Sequence, residues 1–276
     1  MLPPGRFLPD GSPTMWQSDE PVADVLDLWT RCERSAAVTY VWPVVSGLFL
    51  YEPIYPQRLR KPADIGAIDL ESGLEARWRA LRARQAEGFD PGWFPEDLDD
   101  VEELIESLRE KWEHGWPPYE EWPGLAPAAP GSGPDAAEVN RQVLTDILRS
   151  CEVSYDARDA LALTGNHGLG GYLALVRAER PADIPTVMAW DAEAPHEFLS
   201  ALLRSWEDRF GARVVGFEGA TIHLSVARPP VTAADASLVA MEHMLLGDDN
   251  HPPGDLNFAD YAESLVGKRH WFFWWD

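Results

Sequence analysis

Adjacent acid and imidazole side chains are the first place to look for chemistry, and Glu242 and His243 stand side by side in VAMEHMLL. A carboxylate beside an imidazole can move a proton if both open on one concave site. Glu207, Asp208 and Arg209 follow Trp206, with Glu193 and His196 upstream, a set better explained by pairing along one helix and by capping than by catalysis. Asp248, Asp249 and His251, with Asp255 and Asn257 beyond them, offer oxygen ligands and one imidazole. Pro252-Pro253-Gly254 interrupts that run, and the spacing fits neither an EF-hand nor a zinc signature. No metal is expected, and Asp248, Asp249 and His251 are only weak candidates to hold one. The glycine-rich Gly165–Gly171 (GNHGLGG) lacks a Lys-Ser/Thr pair and should precede a strand, which makes it a turn and not a phosphate loop. No nucleophile elbow, metalloprotease helix or Cys/His signature is present, so no catalytic residue and no cofactor is assigned.

Aromatic side chains are the other unusual resource. Among 13 tryptophans, Trp42, Trp190, Trp206, Trp271 and Trp275 could line a ligand cleft or a peptide groove, or fill a core. The chain ends on His270-Trp271-Phe272-Phe273-Trp274-Trp275-Asp276. As a strand, this segment turns His270, Phe272 and Trp274 to one side and Trp271, Phe273 and Trp275 to the other. Burial of those rings is expected, with Asp276 and the α-carboxylate reaching the surface or a cation, because desolvating unpaired charge is costly.

The elements that must position these residues follow from periodicity. Helices are expected over Asp24–Arg34, Leu70–Glu87, Glu96–His114, Asp135–Leu148 and Pro195–Phe210, the last stopped by Gly211. Two more are expected from Thr232 to Leu245 and from Ala259 to Val266. Thr39–Tyr51, broken by Pro43 and Ser46-Gly47, reads as a bent strand or two short ones near an edge. Tyr172–Arg177, Ile184–Trp190, Arg213–Phe217, Ala220–Ala227 and the aromatic ending read as strands, the third and fourth joined as a hairpin about Glu218-Gly219. In the C-terminal half the order strand, helix, strand, strand, helix, strand is that of a ferredoxin-like split βαβ sheet with helices on one face. The class is therefore α+β, with a smaller α+β N-terminal region packed on that sheet. Pro123–Pro134 (PGLAPAAPGSGP) has linker composition, giving an N-terminal region 1–122, a linker 123–134 and a C-terminal domain 135–276.

At 276 residues with 45% hydrophobic and 11% aromatic content, the chain can bury a large core without staples. Its two cysteines, Cys32 and Cys151, are far apart with no CxxC, so reduced thiols are expected. The N-terminus has no apolar signal-peptide core, and the longest apolar run, Val41–Tyr51, is too short for a membrane helix. A cytoplasmic protein away from membranes is expected. The net charge of −23 repels phosphate backbones, which argues against nucleic acid and favours basic partners.

The run Leu203–Val215 (LRSWEDRFGARVV), the exit Ser225–Pro230 (SVARPP), the Glu242-His243 pair and the terminal WFFWWD resemble an uncharacterised actinobacterial family that carries the domain of unknown function 4253. The resemblance covers mainly Gly168–Asp276 and implies no reaction, cofactor or partner. Members often have a cysteine after the Glu-His helix, where this chain has Leu245-Leu246-Gly247-Asp248; no thiol role carries over. Two functions stay open. One is a non-catalytic acidic interaction module, immunity- or antitoxin-like in its concrete form, that binds a basic protein through residues such as Trp190, Trp206, Glu207, Arg209, Trp271, Trp275 and Asp276. The other is an enzyme or small-ligand binder with a Trp-lined cleft served by Glu242 and His243.

Overall fold

The apolar spacing of Val25, Leu28 and Trp29 becomes helix α1, Val25–Thr39, which ends when Tyr40 turns left-handed (φ 56°) and feeds strand β3, Val41–Ser46. The computed structural model describes residues 1–8, 14–47, 62–87, 106, 116–131, 133–158, 171–190, 195–218, 220–247 and 257–275. The expected helix Glu96–His114 lies outside them except for Glu106, as do residues 165–170 of the glycine-rich turn. Two compact units emerge, each drawing segments from both sides of the 123–134 stretch. One comprises 1–68, 128–229 and 268–276, and the other 69–127 and 230–267.

The first unit holds a seven-stranded sheet. Its strands are β1 Gly5–Leu8, β2 Met15–Ser18, β3, β4 Tyr172–Arg177, β5 Ala212–Glu218, β6 Thr221–Val226 and β7 His270–Trp274, in the spatial order β1-β2-β4-β3-β5-β6-β7. The α+β class holds. The ferredoxin-like strand order does not, because β3 from the N-terminal region separates β4 from β5, and β7 pairs with β6 and not with β4. The aromatic ending thus extends the β5–β6 hairpin. Nor is β3 an edge strand: it pairs antiparallel with β4 along its length and parallel with β5 only at Val45 and Ser46. Pro43, which has no N–H to give, sits in β3 before the parallel pairing begins, and its carbonyl accepts from the Trp29 indole at 2.9 Å. That is how an interior strand tolerates proline.

Helices flank the sheet on both faces, in place of the single face expected. On one, α1 and α3 (Ala136–Arg158) join Val25, Leu28, Trp29, Val139, Val143, Leu144 and Ile147 with Val45, Leu173 and Val215 in one core. On the other lies α5 (His196–Phe210), whose Trp206 and Phe210 meet the inward rings of β7. The expected strand Ile184–Trp190 is instead a 3-10 turn, Pro181–Asp183, running into a one-turn helix α4, Ile184–Met188. Pro181 and Pro185 occupy first-turn positions, where a missing N–H costs nothing, and Asp183 accepts the Arg180 N–H. Every residue of α4 is buried, so a short apolar run carried no period that could separate helix from strand. Gly211 caps α5 in the left-handed region (φ 63°), and a Cβ there would stand 3.0 Å from that of Ala227.

Within the second unit, α2 (Leu70–Glu87) buries Leu74, Trp78 and Leu81. Thr232 and Asn257 cap α6 (Ala233–Met244) and α7 (Phe258–Ser264) by accepting the N–H groups of Asp235 and Asp260. Among the described residues, no helix is long and apolar enough to cross a membrane.

Candidate functional site

The tryptophans singled out by sequence are buried in the core. Trp206 stacks on Phe273 (centroids 5.3 Å, 20°) and meets Trp271 edge-on at 5.6 Å. Trp190 contacts Phe217 and Trp275 at 5.2 and 5.3 Å. All four indoles are buried. Strand alternation on β7 explains the division: Trp271, Phe273 and Trp275 turn in, whereas Phe272 and Trp274 are 42% and 46% exposed. The expectation that the whole ending is buried is corrected to this alternation. Asp276 lies outside the described residues.

Glu207 and Arg209 serve the first unit structurally. Arg180 reaches Glu207 at 3.1 Å and Asp208 at 2.5 Å, while Arg204 grips the fully buried Asp183 with two contacts of 2.5 and 2.8 Å. Burial raises the Glu207 carboxyl above its usual range despite the opposing Arg180. Arg209 donates to the Ser205 hydroxyl at 3.0 Å and lies over the Phe210 ring at 4.9 Å. On β5, Arg213 pairs with Glu33 of α1 and lies over Trp42 at 4.7 Å; burial pushes its guanidinium down to about 10.

Glu242 and His243 belong to the second unit and are fully buried on α6. Glu242 accepts the Ala126 backbone N–H at 2.7 Å, tying the 116–127 segment to the helix. His243 Nδ1 meets the Tyr261 hydroxyl of α7 at 2.8 Å, and burial raises that phenol well above its ordinary value. Tyr119 and Ser237 add a hydroxyl pair at 2.9 Å. The adjacency of Glu242 and His243 in sequence therefore diverges in space: the carboxylate holds a loop and the imidazole holds a helix. Asp248, Asp249 and His251 lie outside the described residues, among which no group of three metal-ligating side chains gathers.

A different cluster forms where β6 and β7 pair. His223 and His270 share one sheet face, with His223 Nδ1 3.1 Å from His270 Nε2 and ring planes 24° apart. His223 is only 7% exposed, and its Nε2 has no hydrogen-bond partner among the described residues; the Glu218 carboxylate faces it at 3.7 Å. Phe272 packs beside both imidazoles. Two residues along β6, buried Ser225 donates to Asn140 Oδ1 of α3, leaving the Asn140 Nδ2 unpartnered among the described residues. Burial, with His223 and Lys268 adding positive field against Asp146, lowers His270 to about 4. The sequence held a signal for this cluster: His223 and Ser225 alternate with apolar Ile222, Leu224 and Val226, a polar stripe on one face of a strand. What it lacked was the register that sets Ser225 opposite His270.

Searches of the curated proteins and of the solved structures return no match. Residues 172–276, which carry β4 through β7 and with them His223, His270 and the aromatic ending, match the model of a family described as a Domain of unknown function (DUF4253).

Proposed function

We propose that the chain is a non-catalytic, acidic interaction module whose partner is a basic protein. The observation that carries this reading is the pair Phe272 and Trp274, exposed on the last strand in the sheet order of a chain with net charge −23. Large aromatics half-open to solvent are anchors of the kind that dominate binding interfaces, and a strong net field speeds encounter with the opposite charge. In its concrete form the module is immunity- or antitoxin-like, acts in the cytoplasm and is actinobacterial, the last by its WFFWWD ending. The alternative, a Trp-lined cleft served by Glu242 and His243, loses support because those side chains already have structural work within their own units.

The test immobilises the full chain and challenges it with lysate of its native host. The expected result is one stoichiometric protein with a pI above about 9 that elutes below about 0.5 M salt. The Phe272→Ser/Trp274→Ser double variant should retain far less of it. A co-purifying small molecule with no protein partner would overturn the reading.

A further inference from the structure

We infer that His223 Nδ1 and His270 Nε2 form a two-imidazole site for a borderline divalent metal ion, zinc or cobalt. Their separation of 3.1 Å is close to the roughly 3.3 Å that two nitrogens keep around one tetrahedral metal with bonds of about 2.0–2.1 Å. Adjacent antiparallel strands carry the two rings, with Ser225 opposite His270 and His223 opposite Phe272, so the site rests on sheet and not on loop. The far side of His223 supplies an independent sign. Its buried Nε2 has no hydrogen-bond partner among the described residues and looks toward the Glu218 carboxylate at 3.7 Å. A carboxylate facing the second nitrogen of a ligating histidine fixes the tautomer and aims the ring. At 3.7 Å the Glu218 carboxylate is beyond hydrogen-bond reach in the metal-free chain, but its charge favours the proton on Nε2, which leaves Nδ1 bare toward His270.

Two protein nitrogens leave coordination positions open to water or to a ligand from a partner, since no third metal-ligating side chain joins them among the described residues. Without metal, the His270 Nε2–H donates to His223 Nδ1. When the ion binds, that proton leaves Nε2 and a proton is taken up at His270 Nδ1, so both imidazoles stay neutral and no net proton is released. The net charge of −23 draws cations toward the chain at long range, while at the site itself Lys268 opposes and Asp146 and Glu218 favour a bound cation.

The test titrates Zn²⁺ and Co²⁺ into the full-length, chelator-treated chain by calorimetry and visible absorption, with ¹⁵N NMR of labelled histidines. Saturable one-to-one binding is expected, together with a ligand-field spectrum for cobalt and a switch of His270 from the Nε2–H to the Nδ1–H tautomer. His223→Gln and His270→Gln should each abolish it, and Glu218→Gln should weaken it by about 10-fold or more. The NMR readout on the unaltered chain stands even if a glutamine variant fails to fold. Unchanged tautomers under excess Zn²⁺ would overturn the inference and leave the pair as a plain N–H···N hydrogen bond. Metal uptake that persists in both glutamine variants would overturn it too. Neither result bears on the basic-partner reading.

Discussion

Trp206 of α5 lies nearly parallel to Phe273 of β7, centroids 5.3 Å apart and planes 20° apart, with both side chains buried. This stack joins the helix that follows α4 to the strand that ends the described chain. Trp206→Ala and Phe273→Ala should each destabilise the fold by about 3–5 kcal/mol. The double variant should lose less than the sum, because the rings share an interface. Chemical denaturation of the four species measures it, and strict additivity would refute the coupling.

Removing residues 274–276 separates a docking tail from a structural ending. Trp275 is buried against Trp190, and its backbone N–H donates to the Ala220 carbonyl at 3.2 Å. The truncation should therefore cost about 3 kcal/mol or more. A melting curve that overlays that of the full chain would show the segment to be dispensable for folding.

Much of this was legible beforehand because long amphipathic segments announce their period. The segment 70–87 is helix at both ends as read, and Gly211 stops α5 as its type requires. The hairpin of β5 and β6 was legible too. The failures share one cause, which is that short apolar runs and strand neighbours are settled by tertiary contacts. Ile184–Met188 is helical because Pro185 suits a first turn, and β3 is interior because it pairs with β4 on one side and β5 on the other. The candidate site suffered most. Glu242 and His243 are neighbours in sequence that point to different tasks, whereas His223 and His270 are 47 residues apart and meet only through strand register.

The His223–His270 pair makes a pH prediction for the metal-free chain. His270 titrates near 4 when folded against an ordinary 6.5, so between those values the unfolded chain binds a proton that the folded chain refuses. Stability from this group is complete above about pH 6.5 and is lost as pH falls, by about 3 kcal/mol at pH 4. His223 and Lys268 add to the penalty, and Asp146 opposes it. In melting measured at about pH 7 and about pH 4.5, His270→Gln should narrow the difference seen in the unaltered chain. An equal difference in both would exclude His270 as its source.

Asp183 offers a test of the ion network. The carboxylate is fully buried, takes two contacts from Arg204 and accepts the Arg180 N–H. Asp183→Asn keeps the shape but removes the charge that Arg204 needs, so a loss of about 3–5 kcal/mol is expected. Asp208→Asn, at an exposed member of the same network, should cost under about 1 kcal/mol. Equal losses in the two variants, read by denaturant titration, would contradict the burial argument.

The fragment 133–276 should not fold alone. It contains β4 through β7, yet β4 and β5 do not pair with each other, because β3 lies between them and pairs with both. Without residues 1–68, β4 also loses β2, and Leu173 and Val215 lose Val25, Leu28 and Trp29 from their shared core. Two strand edges and an apolar face would be opened together, which is a template for aggregation. Expression of the fragment should therefore give insoluble or associated material, and co-expression with residues 1–132, which restore β1–β3 and also the Ala126 N–H that buried Glu242 accepts, should recover soluble protein. A soluble, monomeric fragment with a cooperative melt, followed by scattering and circular dichroism, would mean that β4 can pair directly with β5, and that the interleaved sheet is not required for folding.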